Sequence, residues 1–529
     1  MPGYPRPAGV PPVRLRDLDL GAVSDDPGAA PDDVAVTGVS LASTEVRPGD
    51  LYAALPGARR HGAEFAAQAV AAGAVAVLTD PAGAAMITSE VPVLVVDDPR
   101  EAVGAVSARV YGAPSERLSV LGVTGTAGKT SVVYLLESGL RAAGIPAGLI
   151  GTVETRLGDV TVPSVRTTPE ATDLHALFAV AVERGVKAIA MEVSSHALKL
   201  GRVGGVRFAV GGFTNFGVDH LDFHPGVEDY FASKAKLFDG RSGIEVLNLD
   251  DPAQAPLVRP STVTYSALGA ADATWRAVEV RPDGYGQRFT ALGPGGVAVN
   301  ARVGLPGRHN VANALLAIAI LAAAGIDPQT AADGVGACPG VPGRMERVGQ
   351  LGPVLGVVDY AHKPDSIIAV LAALREIGTG RVICVVGAGG DRDRGKRPLM
   401  GAAAAAGADV LIVTDDNPRT EDPARIRAEV LAGAAGGDVR EVAGRREAIE
   451  AAVALARPGD VVALLGKGHE SGQEINGEVR PFDDRVELAA ALAAKGGPAG
   501  GAPAPGPARA EASADSSETG ADEPVGGQR

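Results

Sequence analysis

Residues 118–140 read LSVLGVTGTAGKTSVVYLLESGL: an apolar run, a glycine-rich turn, then a second apolar run whose Val132, Val133, Leu135, Leu136 and Leu140 share one helical face. That strand–loop–helix order predicts an α/β unit with a phosphate cradle at the turn. Gly125, Thr126, Ala127 and Gly128 would let backbone N–H groups approach phosphate oxygens, and the helix N-terminus adds favourable partial charge. Lys129 is placed to reach the terminal phosphates of a bound nucleotide and Thr130 to ligate Mg2+, with Ser131 at the same junction. The common spacing has a glycine where this chain has Val123, so the loop is a shortened variant.

Outward from this loop, short Val/Ile/Leu runs alternate with segments of helical periodicity, as expected of parallel sheets covered by helices on both faces. The fold class read from this pattern is α/β. A first unit, residues 1–112, has a helical stretch at 63–72 and strands at 74–79 and 91–96, ending near Gly112-Ala113-Pro114. A central unit, 113–340, continues through strands at 118–123, 187–193, 207–214 and 244–249 to a helix at 310–324. A third, 341–495, has strands at 354–359, 381–386, 409–414 and 460–465 with helices between, which reads as a Rossmann-like domain. Residues 496–529 hold almost no large apolar side chain and are expected to be a disordered tail.

Bulk composition agrees. The 529 residues fit two to four domains, and 46% hydrophobic content supplies ample core. A net charge of −14 and the lack of any basic run argue against nucleic-acid binding. Cys338 and Cys384 stand alone, without metal or redox spacing, which suits a reducing cytosol. The Pro/Gly-rich start lacks the apolar core of a signal peptide. The longest apolar stretch, 311–324, is interrupted by Asn313 and falls short of the roughly 20 residues of a membrane span. A soluble, cytoplasmic monomer acting on small molecules is expected.

Two polar clusters follow strand-like runs. Glu192-Val193-Ser194-Ser195-His196 places a carboxylate at a strand end, where open α/β sheets bind ligands. Residues 214–224, TNFGVDHLDFH, crowd two Asp and two His into their last six positions. Thr-Gly-Thr-x-Gly-Lys-Thr, Glu-Val-Ser-Ser-His and Asp-His-Leu-Asp-Phe-His, in this order, resemble the central domain of a Mur ligase. That family and the related folylpolyglutamate synthetases use ATP to activate a carboxylate. The resemblance continues in YFASKAKLF at 230–238, whose Lys234 aligns with the lysine that the family carries as a carbamate; Lys236 is its rival. It implies catalytic roles for Lys129, Glu192, His220 and Lys234. Mg2+ would be held by Thr130 and Glu192 on one side, and by His220 with the modified Lys234 on the other.

The resemblance also implies substrate contacts. Ser43, Thr167, Thr168, Ser194 and Arg202 match positions that hold a UDP-muramoyl peptide. Two departures stand out: Leu200 where several members have Gln, and Ala42-Ser43-Thr44 where Asp-Ser-Arg is usual. Pro342-Gly343-Arg344-Met345-Glu346 resembles a segment whose arginine touches ATP phosphates, and Asp359 in DYAHKPD lies in one near the ribose; Asn310 joins the nucleotide set. Diaminopimelate is zwitterionic at both ends, so a selective pocket should offer its distal carboxylate a guanidinium and its distal ammonium a carboxylate. Asp416-Asn417-Pro418-Arg419 resembles the form associated with meso-diaminopimelate, and Arg392, Gly466 and Glu470 match the same pocket. The implied reaction is ATP-dependent ligation of meso-diaminopimelate to UDP-N-acetylmuramoyl-L-alanyl-D-glutamate through an acyl phosphate. A lysine-adding ligase, a folylpolyglutamate-type synthetase and a non-catalytic nucleotide-binding scaffold remain the alternatives.

Overall fold

In a computed structural model of the chain, the structure describes residues 4–18, 20, 34–57, 59–349 and 354–496. The tail expected at 496–529 lies outside the described residues apart from Gly496. Among the described residues the main sheet of the first domain is four-stranded and parallel: β1 (Gly38–Ser40), β2 (Asp50–Ala53), β3 (Ala76–Thr79) and β4 (Val93–Val95) pair in chain order. The helical stretch expected at 63–72 is split into a 3-10 turn, Gly62–Phe65, and a short α-helix, Ala66–Ala71.

The central domain is built on eleven strands. They are β5 (Ser119–Thr124), β6 (Ala147–Ile150), β7 (Glu154–Leu157), β8 (Val160–Pro163), β9 (Ala188–Glu192), β10 (Phe208–Phe213), β11 (Ser242–Asn248), β12 (Val263–Ser266), β13 (Trp275–Asp283), β14 (Gly286–Leu292) and β15 (Ala298–Val303). Their order is β8-β7-β6-β9-β5-β10-β11-β12-β13-β14-β15. The block from β6 to β13 is parallel, and both flanks are antiparallel. Parallel pairing was the expectation for these sheets; the flanks depart from it because their faces are unequally covered. β15 alternates exposed and buried residues along its length, as a strand with one solvated face does. Helix α1 (Lys129–Ala142) and the almost wholly apolar α4 (Arg308–Ala323) cover one face of this sheet. Short α2 (Ser195–Lys199) and α3 (Val227–Ala235) follow β9 and β10.

Among the described residues the third domain's sheet has six strands: β16 (Glu346–Val348), β17 (Leu355–Asp359), β18 (Val382–Val386), β19 (Val410–Val413), β20 (Asp438–Glu441) and β21 (Val461–Leu465), ordered β16-β17-β21-β18-β19-β20. All neighbours but β16–β17 are parallel. Helices α5 (Pro364–Ile377), α6 (Lys396–Gly407), α7 (Arg445–Leu455) and α8 (Asp484–Gly496) cover it, and a hairpin, β22 (Gly472–Ile475) with β23 (Glu478–Pro481), projects from it. Buried Val370, Leu371, Ala373 and Leu374 of α5 belong to the same apolar cluster as Leu305 and α4, so the core runs across the seam between the two domains. Among the described residues no helix is long and apolar enough to cross a membrane.

Candidate active site

Three adjacent strands end side by side: Glu192 of β9 pairs with Val123 of β5, and Phe213 of β10 with Thr124. Their C-terminal loops therefore meet at one edge, the usual ligand side of a doubly wound sheet. The phosphate loop leaves β5 through Gly125, φ +141°, where an added Cβ would lie 1.9 Å from Thr214 Oγ1; only glycine fits. Gly128 then caps α1. The loop is braced by Asn215, whose carbonyl accepts from Thr126 N at 2.8 Å and whose Oδ1 accepts from Ala127 N at 3.0 Å.

Lys129 folds back over this loop, donating from Nζ to Gly125 O at 2.7 Å and Thr126 O at 3.3 Å. Burial pulls its ammonium down to about 8 despite the nearby Glu192. Thr130 donates to Glu192 Oε1 at 3.0 Å, and the same oxygen accepts from Thr152 N at 2.7 Å. Two oxygen donors so close are the set a hard divalent cation takes, so Thr130 and Glu192 fit magnesium. Lys234, 1% exposed, donates to Gly125 O at 2.8 Å and stands over the Tyr230 ring. Burial, with Lys129 and Lys363 nearby, drives its ammonium well below the usual lysine value. As an ammonium it has no lone pair to offer a cation; as a carbamate it would supply oxygen. Lys236, the rival position, begins the 3-10 turn that follows α3.

His220 sits at φ +53° on the loop after β10 and meets Asp219 at 3.1 Å; burial lowers its imidazole to about 3. Asp219 also pairs with Lys363 of the third domain. Burial alone would raise the Asp219 carboxyl, but the Lys363 ammonium overrides it and holds it well below the usual range. No cluster of three or more His, Cys, Asp or Glu side chains arranged to hold a metal occurs among the described residues.

The third domain closes over this edge. Arg344 Nη2 donates to Thr130 Oγ1 at 3.3 Å, while its guanidinium lies over Tyr360 and beside His469. Asp359 accepts from Met345 N and Ala361 N, each at 2.7 Å, so its carboxylate pins the interdomain segment. Arg344, Asp359 and Tyr360 line one cavity of about 450 Å³ together with Lys129, Glu192, Ser194, His220, Asn310 and Lys363. Ser131 and Thr167 line it too, and Thr167 Oγ1 is 3.1 Å from Thr152 Oγ1. Thr168 is buried and donates to Glu192 O at 2.9 Å, tying the 164–170 loop to β9. Arg202 pairs with Glu170 at 2.9 Å, where Arg166 and Arg100 also gather. Ser43 lies in the first domain, its hydroxyl donating to Gln68 at 3.1 Å, away from this cavity.

A second constellation lies at the strand ends of the third domain. Asn417 donates to Glu470 at 2.8 Å and accepts from Lys467 at 3.1 Å. Gly466 follows β21 where a Cβ would lie 2.6 Å from buried Asp416. Arg419, after Pro418, donates to Gly390 O at 2.7 Å and pairs with Glu474 of β22 at 3.2 Å; its backbone bonds to the same hairpin. Arg392 is exposed on the loop after β18. Sequence reasoning assigned no role to Asn215, Asp219, Lys363, Lys396, Lys467 or Glu474. Asn215, Asp219 and Lys363 stood inside motifs already singled out, and Lys467 lies between Gly466 and Glu470; Lys396, whose ammonium burial lowers, and Glu474 carried no such signal.

Three regions of the chain match descriptions of one family: residues 35–111 the Mur ligase family catalytic domain, 123–321 the Mur ligase middle domain, and 343–468 the Mur ligase glutamate ligase domain. The chain belongs to the Mur ligase family. It is 54% identical over 504 residues to a UDP-N-acetylmuramoyl-L-alanyl-D-glutamate--2,6-diaminopimelate ligase of Streptomyces coelicolor, covering 93% of this chain and 98% of that one. A ligase of the same name from Corynebacterium glutamicum is 46% identical over 494 residues, covering 90% and 95%. A solved structure of such a ligase superposes with a TM-score of 0.65 at 32% identity, covering 92% of this chain and 99% of that one.

Proposed function

We propose that this chain joins meso-diaminopimelate to the D-glutamate γ-carboxylate of UDP-N-acetylmuramoyl-L-alanyl-D-glutamate, with ATP as the activating substrate, in building peptidoglycan precursor. The observation that carries the reading is the meeting at Thr130 of Glu192 from the central sheet, 3.0 Å away, and Arg344 from the interdomain segment, 3.3 Å away. Such convergence suits a reaction in which a triphosphate and an acid must be aligned before either reacts. The relatives of the same name support the acceptor and the acid.

In the first step a carboxylate oxygen attacks the terminal phosphorus, the bond to ADP breaks, and an acyl phosphate forms. Lys129 and Arg344 bring positive charge to the transferring oxygens. Thr130 and Glu192 would hold magnesium, which when bound offsets charge on that phosphoryl group. The diaminopimelate amine then attacks the acyl carbon, loses a proton, and phosphate departs. Burial, with Lys129 and Lys363 nearby, shifts Lys234 toward its neutral amine, the form that adds carbon dioxide and releases a proton. The neighbouring Lys129 and Lys363 cations favour the resulting carbamate anion, which with His220 would hold a second cation.

Selectivity for the acceptor rests on Arg419 with Arg392 for its distal carboxylate, and on Asp416, Asn417 and Glu470 for its distal ammonium. Incubation with the UDP-linked dipeptide, ATP and either diaminopimelate or lysine, followed by product mass, tests the whole reading. Amide product and ADP with diaminopimelate are expected; coupling of neither amine overturns it. In Arg419→Ala the preference for diaminopimelate over lysine should fall by roughly ten- to a hundredfold, since a charge-assisted pair is lost. An unchanged preference removes Arg419 from recognition.

A further inference from the structure

Ser195, His224 and Asp229 lie outside the cavity lining, yet they tie together the three segments that carry Glu192, His220 and Lys234. His224 is 1% exposed, with Nδ1 2.6 Å from Asp229 Oδ2 and Nε2 3.1 Å from Ser195 Oγ. A carboxylate only accepts, so Nδ1 carries a proton, and Nε2 can accept from the Ser195 hydroxyl. Each contact reaches a different element. Ser195 opens α2, just past Glu192 at the end of β9. Asp229 stands in the first turn of α3, whose last turn carries Lys234. His224 itself closes the turn that holds His220: its backbone N–H donates to His220 O at 2.8 Å.

The surrounding contacts reinforce the same tie. Lys199, at the end of α2, donates to both Asp229 oxygens at 2.6 and 2.7 Å. His196 of α2 stacks on Phe223 and stands edge-on to His220. His220 holds φ +53°, a conformation that non-glycine residues keep only when their surroundings impose it. Ser–His–Asp is also the order of a nucleophilic triad, but Ser195 is 2% exposed and does not line the cavity, so no acyl group reaches it. The network's product is geometry, with a buried imidazole held on both ring nitrogens by paired groups.

We propose that His224 is a positioning residue that fixes the mutual placement of Glu192, His220 and Lys234, and through it the affinity of the site for its divalent cation. The inference rests on the reading of those three as the metal-site residues. Mn2+ binding to the full chain with ADP present, followed by electron paramagnetic resonance, tests it in His224→Ala, His224→Asn and Ser195→Ala. His224→Ala should weaken binding by roughly 10- to 100-fold, the range for partners that orient metal ligands. The KM for the amino acid should stay unchanged. Carbon-13 bicarbonate should label Lys234 less in His224→Ala than in wild type. His224→Asn, which keeps an N–H toward Asp229, should recover part of the loss. Ser195→Ala removes one hydroxyl and should give a smaller shift in the same direction, which keeps the test open if His224→Ala fails to fold. Wild-type Mn2+ affinity in a folded His224→Ala or, failing that, in Ser195→Ala overturns the positioning role. Full activity in Lys234→Ala instead removes the metal-site reading beneath it.

Discussion

Lys234 places an amine where little water reaches it, donating to Gly125 O at 2.8 Å with the Tyr230 ring beneath. Its folded pKa lies well below that of the unfolded chain, about 10.4, so the unfolded state binds more protons in the window between the two. Stability therefore rises with pH across that window, and at neutral pH the buried amine destabilises the fold. Lys234→Met should raise the thermal midpoint at neutral pH in carbon-dioxide-free buffer, with a gain that shrinks as pH approaches 10.4. It should also abolish ligation, the usual opposition between stability and a strained active site. A midpoint difference independent of pH, read by calorimetry, would show that the amine is not perturbed. At this scale the sequence was informative wherever a residue's chemistry is set by its position just past a strand or in the interdomain motif: Lys129, Thr130, Glu192 and Arg344 all come to the cavity. It was silent on partners. That Arg419 pairs with Glu474, or Asp219 with Lys363, depends on a hairpin and a domain seam that no local periodicity encodes.

Among the elements, α7 and α8 are joined by the ion pair Arg445–Asp484, both side chains with no solvent exposure. The guanidinium meets both carboxylate oxygens, at 2.7 and 2.6 Å, and also donates to Leu465 O at 3.0 Å. Removing one partner strands the other charge in a dry interior, so Asp484→Ala should cost about 3–5 kcal/mol in urea unfolding of the third domain. Arg445→Met with Asp484→Leu replaces both charges by apolar volume and should recover most of that loss. Equal destabilisation by the single and double variants would mean that packing, not the unpaired charge, sets the cost. Elements of this domain were readable because buried parallel strands are continuous apolar runs: the expected 381–386 and 460–465 correspond to Val382–Val386 and Val461–Leu465. The antiparallel flank of the central sheet was not. In β13 to β15 polar residues alternate with apolar ones, as in Arg276, Glu279, Arg281 and Arg288, and the short period is easily taken for loop. The hairpin β22–β23, partly to fully exposed throughout, carries even less apolar signal.

In the molecule as a whole, the third domain meets the phosphate loop through Arg344 and Thr130, and the ion pair between Lys363 and Asp219 spans that approach at the cavity wall. Both side chains are 16% exposed, so water screens the pair only in part. A charge-assisted contact of this kind contributes about 1.5–3 kcal/mol to the closed arrangement, roughly tenfold or more in the open–closed equilibrium. Because the Asp219 carboxyl is held below its usual value in the closed form, its contribution is complete above the ordinary aspartate range and is lost only as pH falls through the depressed value. The compact form should therefore persist unchanged between about pH 5 and 8. Small-angle scattering of the nucleotide-free chain checks both points: Lys363→Ala should enlarge the radius of gyration at every pH in that interval, while wild type should stay constant. A wild-type radius that grows on going from pH 8 to about 5 would point to a titrating histidine, His362 or His469, as the closing group; burial draws these down to about 4 and 3, below that interval. If Lys363→Ala scatters as wild type does, the apolar contact between α5 and the start of α4 is what holds the two domains together, and the ion pair only orients the side chains that face ATP.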